Sequence, residues 1–520
     1  MSISRPQLRW GLVGLLAIGV AAAIFAIQPR PFYIDPAGFT VFGRGIVEGH
    51  APYTELFDNK PPGIYMVGSL AWLLDPGDVS VSLQAITAVM IGVAAMACGW
   101  LVAEASERFW VGVSTVVVVV GGLSLPALSN GGGMTETFAS AGLAVAFAAV
   151  VGMGKGRRHW IWPAVAGVGF AWSVNMSALA IATVPALALL WVALPIDGAP
   201  LPLTRSTSRT WLRRRLLDRR LAPAILGAVA VTFVLWFPVL ASGSVPAALD
   251  AIVRYNSLYE ASGTFVLRDW IHGFAQLWPL LPAAAVLVVP LGRKSIVGLD
   301  LARTRLPVAI ALWLVAETAM LLLGRRIFTH YLLLLIAPAA VVFGLALARL
   351  WQERVRTFKV IGAGLLALTV AGLVWHVRPT PAKDSLIVPN AELAAYVMAN
   401  SGSQDTIFVW GVDPDLYLRS DRDPAGPYFF FLPLTMPGYS DQAGATTLSL
   451  WQTHPPKLVI AGNSATSQRS GLVPLAAAGD AANPQSPGYS AALERVRSFI
   501  QQHYVLAVSL QAGDVWRYQP

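Results

Sequence analysis

Residues Phe32-Tyr33-Ile34-Asp35-Pro36 open a loop after the first hydrophobic segment, and Phe57-Asp58-Asn59-Lys60-Pro61-Pro62-Gly63-Ile64-Tyr65 close it. The loop places an acid just beyond that segment, then a short amphipathic stretch, a Pro52-Tyr53 turn and an Asp-x-Lys-Pro-Pro corner. Asp followed by Pro is a helix start, because the carboxylate accepts free N–H groups of the first turn and proline's fixed φ suits the next position. Phe39, Phe42, Ile46 and Val47 recur near helical spacing and Gly49 supplies a stop, so the stretch predicts a short helix. A carboxylate at a membrane surface can equally take a proton from a hydroxyl. Cap and general base are compatible roles for Asp35.

Working outward, hydrophobic residues make up 55% of the 520-residue chain and charged residues 12%, against about 25% charged in a soluble domain. Apolar runs long enough for a bilayer core of about 30 Å recur as far as residue 377. The predicted spans are 10–27, 80–103, 109–128, 134–152, 160–177, 178–195, 222–242, 277–292, 306–324, 331–348 and 358–376. The expectation is a polytopic α-helical membrane protein with about 11 crossings. Arg5 and Arg9 before the first span also fit a cleaved signal, but its length favours a retained helix.

The net charge is +9, and its distribution sets the orientation. With the N-terminus in the cytoplasm, the inward connections carry Lys155, Arg157 and Arg158, then the arginines from Arg205 to Arg220. Arg293, Lys294, Arg303 and Arg305 follow, then Arg349, Arg354, Arg356 and Lys359. This is the positive-inside pattern, and it leaves the C-terminal tail outside. Basic charge confined to loops beside spans argues against nucleic acid as a partner. Thr210–Arg220 reads instead as an interfacial helix on anionic lipid. The single cysteine, Cys98, excludes a disulfide within one chain.

Composition divides the chain into a helical membrane domain, 1–377, and an extracytoplasmic domain, 378–520, joined by Arg378-Pro379-Thr380-Pro381. The tail alternates helix patterns (Ala391–Met398, Ala491–Gln501) with apolar strand candidates at Ile407–Trp410, Lys457–Ile460, Tyr504–Leu510 and Val515–Tyr518. That alternation predicts a small α/β domain. External loops 28–79 and 243–276 interleave aromatic and polar residues and read as surface helices at headgroup depth.

The order of Asp35, the Pro-Tyr turn and the Lys-Pro-Pro corner resembles the first external loop of GT-C fold glycosyltransferases, in the branch related to protein O-mannosyltransferases and lipid A aminoarabinose transferases. Arg325-Arg326-Ile327-Phe328-Thr329-His330-Tyr331, running into Leu332–Pro338, is similar to a late-span motif of these enzymes. The resemblance implies a GT-C type membrane domain that takes a sugar from a polyprenyl-phosphate donor and passes it to a glycan, lipid or protein acceptor on the outer face of the cytoplasmic (inner) membrane. It implies Asp35 as catalytic base, with Tyr53, Asp58, Lys60, Glu136, Arg325, Arg326 and His330 at the substrates. Relatives often carry Asp-Glu where this chain has Asp35-Pro36, so any function of that adjacent acid is absent here or supplied elsewhere, and several place a Lys or Gln where Ser173 and Asn175 stand, so no cation meets the donor head at that position.

Each candidate also has a plainer reading. Asp58 and Lys60 make a juxtamembrane ion pair worth at most about 1 kcal/mol if exposed. Glu136, after Gly131-Gly132-Gly133, complements a helix dipole; in some branches an acid in this loop helps hold a divalent metal, and no other cofactor is expected. Arg325 and Arg326 either bind phosphate through paired hydrogen bonds or snorkel to headgroups. Glu317 lies within a span, where an ionised acid costs at least about 2.5 kcal/mol, so it should face a polar cavity, pair with a base or stay protonated. Two other function classes compete: a secondary transporter or lipid flippase, which predicts charges along a pathway and matching half-repeats, and a non-catalytic envelope assembly factor. No internal repeat is evident, which favours the transferase.

Overall fold

The computed structural model describes residues 5–27, 34–153, 160–193, 219–263, 266–282, 301–324, 328–352, 356–377, 390–462, 475 and 490–520. The chain forms two compact units, each built from separate stretches of sequence. Unit 1 takes Met1–Gln28, Gln84–Leu235 and Phe265–Pro379; unit 2 takes Pro29–Leu83, Trp236–Thr264 and Thr380–Pro520.

The first helices are α1 (Arg5–Ile27), α2 (Ile34–Glu48), α3 (Gly63–Leu74), α4 (Val79–Ser106), α5 (Phe109–Leu123), α6 (Pro126–Ser129), α7 (Thr135–Met153), α8 (Ile161–Met176) and α9 (Val184–Ala193). Helices Leu221–Ala241, Leu301–Leu323, Leu333–Gln352 and Arg356–His376 follow. Among the described residues, seven helices are long and apolar enough to cross a membrane. The expected spans 109–128 and 160–177 appear as the shorter α5 and α8. The expected span 178–195 is not one regular helix: Ser177 is extended, a 3-10 turn runs Ala178–Thr183, and α9 begins only at Val184. Most of span 277–292 and of the Thr210–Arg220 segment lies outside the described residues.

Within unit 1, α7 is the core helix, buried along nearly its whole length. Its small residues explain this: a Cβ at Gly142 would stand 2.5 Å from the Gly169 carbonyl of α8. The α7 and α8 backbones therefore touch, as small-residue faces allow in lipid. Ser173 of α8 donates to the Ala139 carbonyl at 2.8 Å, and Asn175 donates to Ala171 and to Thr232. Phe147 of α7 stacks flat on Trp313, with centroids 4.2 Å apart. Glu317 is fully buried one turn beyond Trp313 on the same helix. By contrast α1 turns Leu8, Leu12, Leu15 and Leu16 outward, as a lipid-facing helix does.

Unit 2 holds a four-stranded sheet: β1 (Ile407–Val409), β2 (Leu458–Gly462), β3 (Tyr504–Leu510) and β4 (Gly513–Tyr518), in the order β1-β2-β4-β3. β1 and β2 are parallel, and β4 pairs antiparallel with β2 and with β3. Helices Ala391–Asn400, Ser440–Thr453 and Ala491–His503 accompany the sheet. Leu393 and Val397 are buried one turn apart on the first of these, as the helix pattern predicts. The architecture is thus a polytopic helical protein with a small α/β sheet region near its C-terminus.

Unit 2 is more than the tail. Phe57, Tyr255 and Tyr439 meet edge to face or tilted, at 5.0–5.4 Å, one from each of its three stretches. Asn59 and Asn256 exchange hydrogen bonds of 2.7 and 2.8 Å. The Tyr439 hydroxyl donates to Asp250 at 3.1 Å.

Candidate functional site

The stretch from α2 to α3 is held together because the two helices cross in backbone contact. Ser69 donates to the Gly43 carbonyl at 2.8 Å, and a Cβ at Gly68 would lie 2.5 Å from the Phe39 carbonyl. Phe42 stacks on Tyr65 at 3.8 Å between the two helices. Asp35 lies in the first turn of α2, where its charge complements the helix N-terminus. The helix starts at Ile34, so Asp35 is inside the turn rather than ahead of it. Gly49, at φ +93°, ends the helix as expected.

The Asp-x-Lys-Pro-Pro corner folds against this crossing. Asp58 is buried and accepts the Asn59 N–H at 2.6 Å. Burial pushes its carboxyl up to about 6, with the Asp35 charge adding to the rise; the Asn59 N–H, the Lys60 charge and the Tyr65 hydroxyl oppose it. Asp35, Asp58 and Lys60 therefore share one electrostatic neighbourhood. Tyr65 accepts the Lys60 N–H at 3.0 Å, and Tyr53 donates to the Lys60 carbonyl at 2.7 Å. Tyr53 itself is buried at φ +61°, a backbone state that a bulky residue holds only when its surroundings impose it. The two tyrosines clamp the corner by its backbone.

In unit 1 the triple glycine does what its composition allows: Gly131, Gly132 and Gly133 all take positive φ, at 78°, 102° and 84°. The Gly133 N–H bonds Thr87 at 3.0 Å, and α7 starts two residues later. Glu136, in the first turn, is buried, and neither carboxylate oxygen has a hydrogen-bond partner among the described residues. Nor has the Thr137 hydroxyl. One turn on, Ser140 donates to the Leu333 carbonyl at 3.0 Å, which turns that face of α7 toward the start of helix Leu333–Gln352. The 3-10 turn Thr329–Leu332 packs on both α6 and α7. It carries His330, buried, stacked on Phe328 and edge-on to Tyr331. Glu136 and His330 thus sit on neighbouring elements. Arg325 and Arg326 lie outside the described residues.

One group that sequence reasoning missed surrounds Arg44. This arginine is buried in α2, bonds Glu48 one turn on at 3.2 Å, Asp423 from the tail, and the Tyr417 carbonyl at 3.2 Å. Its guanidinium also lies over Trp72. His50 stands 3.3 Å from Glu55 and 3.9 Å from Asp423. The Arg44–Glu48 spacing is a sequence signal; the tail partners are not. Glu48, His50 and Asp423 also form, among the described residues, a grouping close enough to hold a metal ion. Both carboxylates already bond the Arg44 guanidinium, so the donor set does not fit a cation well, and no step below passes through a metal.

No protein-family model and no curated protein matches this sequence. Among solved structures, ArnT from Cupriavidus metallidurans, crystallised with undecaprenyl phosphate bound, aligns over 98% of this chain and 97% of its own, with 12% identity and a TM-score of 0.55. Two structures of the Archaeoglobus fulgidus oligosaccharyltransferase, one of them AglB with an inhibitory peptide and a dolichol-phosphate, align over 86% of this chain and 69% of theirs. Their identities are 13% and 12% and their TM-scores 0.48 and 0.49, below the level at which a shared fold is argued. At full length and low identity, the chain has the fold of ArnT, and with it the GT-C type architecture that the first external loop predicts.

Proposed function

We propose that this chain is a membrane glycosyltransferase that moves one sugar from a polyprenyl-phosphate-linked donor to an acceptor on the extracytoplasmic face of the cytoplasmic membrane, with inversion, in building envelope glycan, glycolipid or glycoprotein. The observation that carries this reading is the corner in which Asp58 feels the charges of Asp35 and Lys60, held by two tyrosines against a locked helix crossing. The fold of a protein crystallised with undecaprenyl phosphate supports a lipid-linked donor.

In this mechanism an acceptor hydroxyl oxygen attacks the anomeric carbon and passes its proton to the Asp35 carboxylate. The bond from that carbon to the phosphate oxygen breaks, and polyprenyl phosphate leaves with the electron pair. A phosphate leaves without protonation, so one base suffices. The role assigned to Lys60 is to offset the charge of the phosphate, that of Arg325 and Arg326 to hold it by paired hydrogen bonds, and that of His330 to add a further substrate contact. Glu136, buried and without a hydrogen-bond partner among the described residues, orients substrate. Asp58 and Tyr53 keep Lys60 in position. The N-terminus lies in the cytoplasm and the tail outside, as the basic loops require.

The test is protein in lipid with a panel of radiolabelled polyprenyl-phosphate sugars and crude membrane acceptors. Wild type should release sugar from at least one carrier, and Asp35→Asn should lose turnover while melting normally and still binding carrier. Equal turnover by Asp35→Asn would remove the base assignment.

A further inference from the structure

A cleft of about 1030 Å³ opens within unit 2, floored by α2 at Val41 and Arg44 and walled by Glu55, by Asp423 and by Ser449 and Leu450 of helix Ser440–Thr453. Six residues separate Asp35 from Val41, about 9 Å along the helix at 1.5 Å per residue. The cleft therefore begins a short way along the element that carries the proposed base. We infer that this cleft is the acceptor subsite and that it takes a neutral carbohydrate chain, an inference that rests on the transferase reading above.

Three features select that ligand. The first is charge: the lining acids Glu55 and Asp423 face Arg44 and His50, which are tied to them and to Glu48, and the guanidinium is already spent on Glu48, Asp423 and the Tyr417 carbonyl. With Arg44 and His50 committed to carboxylates, the described lining leaves a carrier phosphate or other anion only the His454 ring, whose Nδ1 lies 2.9 Å from the Thr453 hydroxyl. The second is the commitment of the carboxylates. A metal ion would have to displace Arg44 from Glu48 and Asp423, and His50 already faces Glu55 at 3.3 Å and Asp423 at 3.9 Å. The third is surface chemistry. Glu55 engages the protein through Oε2, toward the Ala51 N–H and His50. Beside such hydroxyl-binding groups lie the apolar surfaces of Val41, Pro424 and Leu450. A rim of acceptors beside apolar wall matches a sugar chain, with hydroxyls at its edges and C–H groups on its faces. The volume stands at the top of the range for ligand pockets, enough for several sugar units.

Binding can be measured without turnover, on the full chain in lipid nanodiscs, by saturation-transfer NMR and calorimetry. The probes are mannotriose, galactotriose and arabinotriose as neutral chains, trigalacturonate as an anion, the glucosamine trimer as a cation, and calcium and zinc chloride. At least one neutral trisaccharide should bind wild type and Gln452→Trp, a control outside the cleft. Its affinity should fall about tenfold or more in Ser449→Trp, which fills the cleft, and in Glu55→Gln, which weakens its rim. Unchanged melting of both variants keeps misfolding out of the result. Preference for the anion, the cation or a metal, equal binding by Ser449→Trp, or no neutral trisaccharide bound would each overturn the inference. Asp35→Asn should bind the trisaccharide like wild type. Failure of every donor assay would strike the transferase reading and leave this binding result standing on its own.

Discussion

Arg44 of α2 and Asp423 of the tail form an ion pair although 379 positions separate them in the sequence. The same guanidinium holds the Tyr417 carbonyl, so one buried side chain fixes both ends of the 417–423 turn on the first external loop. The helix that carries Asp35 and the sheet-bearing tail are in this way parts of one unit.

Removing that side chain should be costly. Arg44→Ala leaves the Tyr417 carbonyl and two carboxylates without their donor, and breaking a buried pair costs about 3–5 kcal/mol. Asp423 keeps access to water, which reduces the figure to about 2–3 kcal/mol. Thermal melting in detergent should show the loss for Arg44→Ala and less for Asp423→Asn. The double variant should cost less than the sum; additive costs would mean that the pair contributes nothing.

The neighbouring His50–Asp423 contact gives a pH signature. The Asp423 carboxylate 3.9 Å away raises His50 above 6.5, and the same contact lowers Asp423 below 3.8. The His50 contribution is complete below its unfolded value and is lost as pH rises through its raised folded value. That of Asp423 is complete above 3.8 and is lost as pH falls through its lowered value. Hydrogen exchange at residues 50–56 and 421–427 should be slowest between about pH 4 and 6.5 relative to its intrinsic rate. In His50→Gln that minimum should disappear.

Asp58 acts in the opposite sense from a salt-bridged acid. Its folded value of about 6 exceeds 3.8, so its protonated form suits the fold. The stability linked to it is complete below pH 3.8 and is lost as pH rises through about 6. Asp58→Asn should therefore be the more stable protein at pH 7–8, by up to about 3 kcal/mol, and indistinguishable below pH 4. Denaturant melts across that range check the sign. An activity loss in the stabilised variant would place Asp58 among residues kept for function.

Much of this was legible from local pattern. Asp35-Pro36 and Gly49 bracket α2, and β3 and β4 match the apolar runs at 504–510 and 515–518. Hydropathy placed the break between 177 and 178 where Ser177 is extended, but it registers apolar content and not the 3-10 winding of Ala178–Thr183 that precedes α9. Helix Ser440–Thr453 escaped notice for the opposite reason: its buried face is Ala443, Thr447 and Trp451, a weak stripe. The Arg44 cluster could not be read at all. Its Glu48 contact is local, whereas Asp423 and Tyr417 come from a distant segment with no matching period.

Glu136 sets function against stability most directly. A buried acceptor left without a donor costs about 1–3 kcal/mol, and both of its carboxylate oxygens are in that state among the described residues. Glu136→Gln removes the charge and supplies a donor of its own, so it should melt at the wild-type temperature or above. Donor turnover should meanwhile fall at least about tenfold, corresponding to one lost charged contact. Full activity with raised stability would assign Glu136 no part in the reaction.

Unit 2 draws its three stretches from well-separated points of the chain, and this imposes an order on biosynthesis. Arg44 is made 379 residues before Asp423, a delay of roughly 20–75 seconds at ordinary translation rates. Through that interval the guanidinium has Glu48, the Trp72 ring and solvent but no partner from the tail, and the ring of Phe57 lacks Tyr255 and Tyr439. The first loop cannot take its final form until every intervening segment has been inserted and the tail delivered to the same side. A chain that stalls or inverts one hairpin leaves those aromatic and charged surfaces bare and open to quality-control proteases.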